Sequence, residues 1–290
     1  MGQDWSRWLD ETSDADVAAS SRPRGRAPVV RLRKGRRDDG EGGGLLRPIL
    51  VVGGCGGAGT TTTALGLAGE LGTEAAAVAV DATVAGSDLA LRGADEHLSP
   101  ISLQQWLYGR GDDEPAPLKE CLSQASSGIG LLWRDASPLR RRATYLTVAR
   151  AIADAGFTPV YDGGSPIAAR QLRPLLEDAE VALVLSIPAR ADAANRLRVT
   201  LEWLDDEFGG HAEGQGGGIV GDTTIVISHQ LPGNDSRVAD HLREHLTGWV
   251  RDIREIPYDT HLARGELVRH NALDAETRRA YRRLLGGMAS

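Results

Sequence analysis

From Leu46 onward, short continuously apolar runs alternate with stretches of helical spacing, and no other feature of the chain limits its fold so tightly. PILVVGG, AAAVAVDAT, SGIGLLWRD, FTPVYDGG, VALVLSIPA, TTIVISHQ and DIREIPYD read as strands. A run that is apolar at nearly every position, rather than at every second one, is buried on both faces, as a strand inside a parallel sheet must be. Between these runs, TTTTALGLAGELG, SLQQWLYG, RRRATYLTVARAIADAG, NRLRVTLEWLDDEFG and SRVADHLREHL read as helices, from apolar residues at helical spacing. Strands alternating with helices imply a mostly parallel sheet covered on both faces. The expected fold class is therefore α/β, a three-layer sandwich over residues 47–290. The glycine-rich stretch 209–222, GGHAEGQGGGIVGD, reads as a flexible surface loop.

Residues 1–46 differ in kind. They hold Ser, Gly, Pro and charge with almost no periodic apolar pattern, and read as a disordered tail. Charge is segregated within it: the front is acidic, the charged residues of 22–37 (RPRGRAPVVRLRKGRR) are all basic, and DDGEGGG follows as a join. Basic groups on a flexible stretch can touch anionic lipid or nucleic acid without reading sequence. In WSRWLDE, Trp5, Trp8 and Leu9 fall on one face of a short helix and would suit a groove on a protein partner.

The formal net charge of −7 argues against a nucleic-acid binder by bulk electrostatics. The cysteines, Cys55 and Cys121, lack metal-ligand spacing. The first residues contain no apolar run of the signal-peptide kind, and no stretch of about 18 apolar residues occurs. A cytoplasmic protein is expected, at most peripheral to a membrane or nucleoid.

The chemistry concentrates where the first strand meets the first helix, in VVGGCGGAGTTTTALGLA. A glycine-rich turn between strand and helix aims several backbone N–H groups at one anion, and the helix adds its positive end. A working phosphate loop adds a lysine for the phosphates and a Ser/Thr hydroxyl for Mg²⁺. Gly53, Gly54, Gly56, Gly57 and Gly59 supply the turn, and Thr61 stands at the hydroxyl position. Thr60 stands where the lysine belongs, and no lysine lies between Lys34 and Lys119.

GGCGGAGTTTTA resembles the deviant phosphate loop of the ParA/MinD partition-type ATPases, whose pattern is K-G-G-x-G-K-T-T. The resemblance extends in order along the chain: VAVDATVAGSDLALR is similar to the second strand and switch I segment, SLQQWL to the short helix that follows, PVYDGGSP to the Walker B strand and switch II, VALVLSIPARADAANRLRVTLEWL to the next strand and helix, and IREIPYDTHLARGELV to the late I-P-Y-D segment. It implies a P-loop NTPase-like domain in which Gly54, Cys55, Gly56, Gly57, Gly59, Thr60, Thr61 and Thr62 face the nucleotide. Thr61, Asp81 and Asp162 would hold magnesium, directly or through water.

The same resemblance marks departures. In that family one loop lysine binds the phosphates of its own site, and a second reaches the nucleotide of a partner subunit. The matching positions are Thr60 and Cys55. A water-positioning second Asp after the second strand is replaced by Thr83, and Ser228 and His229 stand where an adenine-reading Asn is common. Missing transition-state stabilisers typically cost about 10²–10³ in rate each. An arginine from elsewhere could compensate, with Arg140, Arg141, Arg142 and Arg190 as candidates.

The expectation is a non-hydrolysing pseudo-ATPase that requires no cofactor. It would serve as a positioning or adaptor component of a secretion, conjugation, partition or division machine, as a homodimer or as a heterodimer with a catalytically competent relative. The alternative is a slow ATPase, with ATP and magnesium as cofactors, in which arginine replaces the loop lysines. A third reading places the function in the tail, as a plain adaptor. His241 and His245, at i and i+4 without a third ligand, read as a solvated helix face, and Cys55 as a small residue packed in a turn.

Overall fold

A computed structural model describes residues 47–108, 117–139, 144–209, 218–233 and 235–288. The tail and Arg140 to Arg142 lie outside the described residues. The strands are β1 (Ile49–Gly53), β2 (Ala77–Asp81), β3 (Ser123–Gln124), β4 (Gly130–Leu132), β5 (Thr158–Asp162), β6 (Ala182–Pro188), β7 (Thr224–Ser228) and β8 (Asp252–Ile256). They form one sheet in the order β3-β4-β2-β5-β1-β6-β7-β8. Every pairing is parallel except that of β3 with β4 at one edge.

The helices are α1 (Thr60–Leu71), α2 (Leu89–Gly93), α3 (Leu103–Tyr108), α4 (Leu118–Cys121), α5 (Thr144–Asp154), α6 (Arg173–Leu176), α7 (Ala191–Phe208), α8 (Gly218–Gly221), α9 (Arg237–Leu246), α10 (Thr260–Ala263) and α11 (Ala275–Met288). Successive strand residues point to opposite faces. Ile49, Val51, Ala77, Ala79, Val160 and Val184 thus share one core with Leu67, Leu71, Tyr281 and Leu284 of α1 and α11. The alternate residues, such as Leu50, Val80 and Tyr161, are buried on the other face, where the Tyr161 ring meets Tyr145 of α5 edge to face at 6.0 Å. This is the expected three-layer arrangement.

Several elements are not among those expected from the sequence, and two of them bear on the packing. Part of the glycine-rich stretch 209–222 forms α8, anchored by buried Val220. The C-terminal α11 has no counterpart among the expected helices, yet it packs along α1: a Cβ added at Gly66 would lie 2.2 Å from the Tyr281 ring.

Parallel strands end at the same edge, so their following loops converge there. Register makes this specific. Asp81 pairs with Asp162 across β2 and β5, Val51 pairs with Asp162 across β1 and β5, and Gly53 pairs with Ser186 across β1 and β6. The order of the sheet turns about β1, which emerges between β5 and β6. Ligand crevices of open α/β sheets form at such points, beyond the carboxyl ends of the strands.

Candidate functional site at the carboxyl edge of the sheet

The turn from β1 to α1 is tied down at several points. Gly53 N–H donates to the Gly164 carbonyl at 2.7 Å, and Gly54 N–H to the Ser186 carbonyl at 3.0 Å. The Ser186 hydroxyl donates to the Ala58 carbonyl at 2.8 Å, and the Gln230 amide to the Gly57 carbonyl at 2.8 Å. Gly57 and Gly59 sit at φ 73° and 79°, a left-handed backbone that residues with a Cβ rarely adopt. Gly59 begins α1 without a side-chain cap, and its carbonyl accepts from Thr63 N–H at 2.8 Å. Among the described residues, the N–H groups of residues 55–57 and 59–62 find no acceptor, while Ala58 N–H closes the turn at Gly56–Gly57. They border a cleft of about 470 Å³ lined by residues 55–62, Arg92, Gly164, Ser165 and Gln230. A concentration of unspent N–H donors at the positive end of a helix is suited to an anion.

Next to the loop lies a pair of buried carboxylates. The Thr61 hydroxyl donates to Asp162 Oδ2 at 2.6 Å, and Gly164 N–H to Asp162 Oδ1 at 3.1 Å. Asp162 has no solvent exposure. Burial pushes its pKa up to about 6, the Thr61 hydrogen bond works against that, and the nearby Asp81 charge adds to it. Asp81 is also fully buried. Its Oδ1 accepts from the Thr83 N–H at 3.0 Å and the Thr83 hydroxyl at 2.7 Å, and its Oδ2 accepts from Ser87 N–H at 2.6 Å. The Ser87 hydroxyl bridges towards Asp162 Oδ2 at 3.5 Å. Arg134, almost wholly buried, donates to the Thr83 carbonyl and holds that segment from behind.

The sequence-predicted residues are therefore brought together. Cys55, Gly56, Gly57, Gly59, Thr60, Thr61 and Thr62 line one cleft. Gly54 lies just behind it with its N–H spent on Ser186, and Asp81 and Asp162 lie on adjacent strand ends. Cys55 is buried, as a packed turn residue would be. Magnesium accepts hard oxygen donors and keeps most of its coordination for water and phosphate. Thr61 and Asp162, with Asp81 behind them, fit that demand. Among the described residues no cluster of His, Cys, Asp and Glu forms a self-sufficient metal site. The His241 and His245 rings pack edge to face at 4.4 Å.

The candidate arginine Arg190 does not line the cleft; it forms a bidentate pair with Asp192, both exposed. The cation that does line it, Arg92, is not among the candidates that the sequence offers. Gln230 and Ser186 escape sequence reasoning too, because both act through main-chain carbonyls far away in the chain. Ser87 carries a faint signal: a Ser just ahead of a helix, whose hydroxyl accepts from Leu89 N–H at 3.1 Å.

Solved structures match the chain over most of its length. The ParA family ATPase from Chlorobium tepidum aligns with a TM-score of 0.64 at 14% identity, covering 83% of this chain and 98% of that one. The chain has the ParA/MinD fold. The Pyrococcus furiosus cell division ATPase MinD aligns at 0.57 with 17% identity, covering 83% and 98%. The Cyanothece McdA(D38A)–ATP complex aligns at 0.58 with 14% identity, covering 85% and 97%. No protein-family model matches the sequence, and no curated protein matches it significantly. No helix among the described residues is long and apolar enough to cross a membrane.

Proposed function

We propose that this chain is a ParA/MinD-type positioning or adaptor component that keeps the nucleotide seat and has lost efficient hydrolysis. One observation carries the reading: Thr83 spends its hydroxyl on Asp81, and Ser87 N–H occupies the other Asp81 oxygen. No carboxylate stands at position 83 to orient an attacking water. Thr60 and Cys55 bring no charge to the phosphates, and phosphoryl transfer relies on positioning and charge neutralisation.

The seat itself fits a magnesium nucleotide. The N–H groups of residues 55–57 and 59–62 would take phosphate oxygens, and Thr61 with Asp162 would hold the ion, whose part is to neutralise charge on those oxygens. The MinC:MinD cell division complex of Aquifex aeolicus, aligned at a TM-score of 0.58 and 14% identity over 82% of this chain and 96% of that one, pairs such a fold with another protein. By analogy this chain would act by binding a partner, as a homodimer or beside a competent relative, in a membrane- or DNA-associated machine. The likeness is one of fold, and the machine is identified by what the cleft and the tail bind.

A second reading, a slow hydrolase in which arginine takes the place of lysine, is favoured by the presence of Arg92 at the cleft. Turnover separates the two. ATP hydrolysis in magnesium is expected to be no faster than in Thr61→Ala; hydrolysis clearly above that variant would replace the first reading with the second.

A further inference from the structure

Arg92 is placed by packing rather than by an ion pair. It sits in α2, whose Leu89 and Ala90 are buried, and a Cβ added at the neighbouring Gly93 would lie 2.4 Å from Leu131 and 2.6 Å from Leu65. Its own carbonyl accepts from Val268 N–H at 2.6 Å. The side chain, 18% exposed, runs to the first turn of α1, where Nη1 donates to the Thr62 hydroxyl at 3.0 Å. The buried Nε has no hydrogen-bond acceptor among the described residues. The nearest carboxylate is Asp88, itself half exposed, with an oxygen 3.8 Å from Nε.

A largely buried guanidinium is normally met by a carboxylate or by several carbonyls, because its charge is costly to take out of water. Arg92 has a neutral hydroxyl and a loose, solvent-screened partner instead. It is also the one cation among the residues lining the cleft, beside N–H groups that have no acceptor either. The donors on both sides of this cleft lack one thing, an anion.

We propose that Arg92 is the phosphate-binding cation of the cleft. On arrival of a polyphosphate, as its magnesium complex, the guanidinium exchanges the Thr62 hydroxyl for a phosphate oxygen and supplies charge that the loop residues lack. This rests on the reading of the cleft as a nucleotide seat. Arginine suits the task because its donors are fixed in a plane and its charge persists at any working pH.

The test titrates Mg·ATP, magnesium tripolyphosphate and adenosine into the full chain and into Arg92→Gln and Arg92→Lys. Charge-assisted hydrogen bonds of this type correspond to a tenfold loss or more. Arg92→Gln is expected to weaken both phosphate ligands at least tenfold and by similar factors, with a flatter salt dependence. Arg92→Lys should stay within about threefold of the unmodified chain, since a point charge also serves phosphate. A purely structural role would change the thermal midpoint without changing the salt dependence.

The unmodified chain gives a parallel readout in case Arg92→Gln does not fold. The shielded Arg92 Nε–H, assigned by its loss in Arg92→Lys, should shift in ¹H–¹⁵N spectra on adding Mg·ATP, whereas the exposed Arg190 should not. Equal binding by Arg92→Gln, or an unmoved Nε–H at saturation, would overturn the assignment and leave the nucleotide seat standing. If the unmodified chain bound neither phosphate ligand, the seat and Arg92's role would both fall.

Discussion

Replacing Asp162 by Asn should make the ligand-free protein more stable at neutral pH, against the usual expectation for a buried residue at the heart of a site. Asp162 is fully buried and its pKa is pushed from the ordinary 3.8 up to about 6. A carboxyl group with a raised folded-state pKa binds its proton more tightly in the native state than in the unfolded chain. Its contribution is therefore most favourable below the unfolded value and is lost as pH rises through the folded one. A gap of about two pH units corresponds to about 3 kcal/mol of lost stability at pH 7 and above, and to about half of that near pH 5. Asn carries no charge to desolvate. Its carbonyl can keep the Gly164 N–H bond, and its amide can donate to a Thr61 hydroxyl that reverses its role. Imperfect geometry will take back part of the gain, so an increase of about 1–3 kcal/mol is expected near pH 8.

Urea unfolding of the parent and of Asp162→Asn from pH 5 to pH 8 measures the difference directly. The advantage of Asp162→Asn should grow as pH rises to about 7 and then level off. The same substitution should remove the magnesium dependence of nucleotide binding, because Asp162 would be part of the ion's seat. A stability difference that stays constant with pH, or a variant that is less stable at pH 8 than at pH 5 relative to the parent, would refute the claim that desolvation dominates at Asp162.

Other perturbations probe separate parts of the argument. Gly66→Ala should lower stability by about 1–3 kcal/mol in urea unfolding although alanine favours helix, because the new methyl meets the Tyr281 ring; a stabilised variant would mean that α11 is free to shift away from α1. Thr60→Lys should raise Mg·ATP affinity by a larger factor than it raises turnover, since ground-state binding needs the charge while hydrolysis also needs the group absent at position 83; family-like hydrolysis from this one change would show that Thr83 is no defect. Any dimer seen by light scattering should form without nucleotide and be indifferent to Mg·ATP, because Cys55 cannot reach across to a partner's nucleotide as a lysine would; a monomer that pairs only on adding Mg·ATP would overturn this.

The fold is legible because its signals are local. Seven continuously apolar runs separated by helical stretches allow little but a layered α/β sheet, and the run at Pro48–Gly54 leads straight into the loop. β3 is not legible: its two residues, Ser123 and Gln124, carry no strand pattern and are held by β4, a bridge to His97 and a hydrogen bond from Ser99 N–H to the Ser123 hydroxyl. α8 is hidden inside glycine-rich sequence that reads as loop. α11 is obscured because its amphipathic face is mixed with arginines, and its meaning depends on Gly66, a residue far away in the chain. At the site, Thr61, Asp81 and Asp162 can be named from the sequence, whereas Arg92 cannot. It lies in a one-turn helix too short to show a period, and only the fold of the segment after β2 carries its guanidinium to α1.

The geometry also explains how a loop with no lysine holds this shape. The shape is fixed by contacts that involve no loop side-chain charge: Gly53 to the Gly164 carbonyl, Gly54 to the Ser186 carbonyl, the Ser186 hydroxyl to Ala58 and the Gln230 amide to Gly57. Three of the four are made by residues near the carboxyl ends of β5 and β6, so they form as a consequence of the sheet register. Loop conformation and loop charge are thus separable, the first belonging to the stability of the domain and the second to its chemistry. Positions 55 and 60 can therefore change without disturbing the fold, whereas a change at Gly59, held at a positive φ, or at Ser186 would disturb the turn itself. Ser186→Ala should on this argument weaken Mg·ATP binding in a titration without removing any group that touches the ligand, by loosening the Ala58 carbonyl and with it the row of N–H groups that faces the cleft; unchanged affinity would mean that the register alone holds the loop.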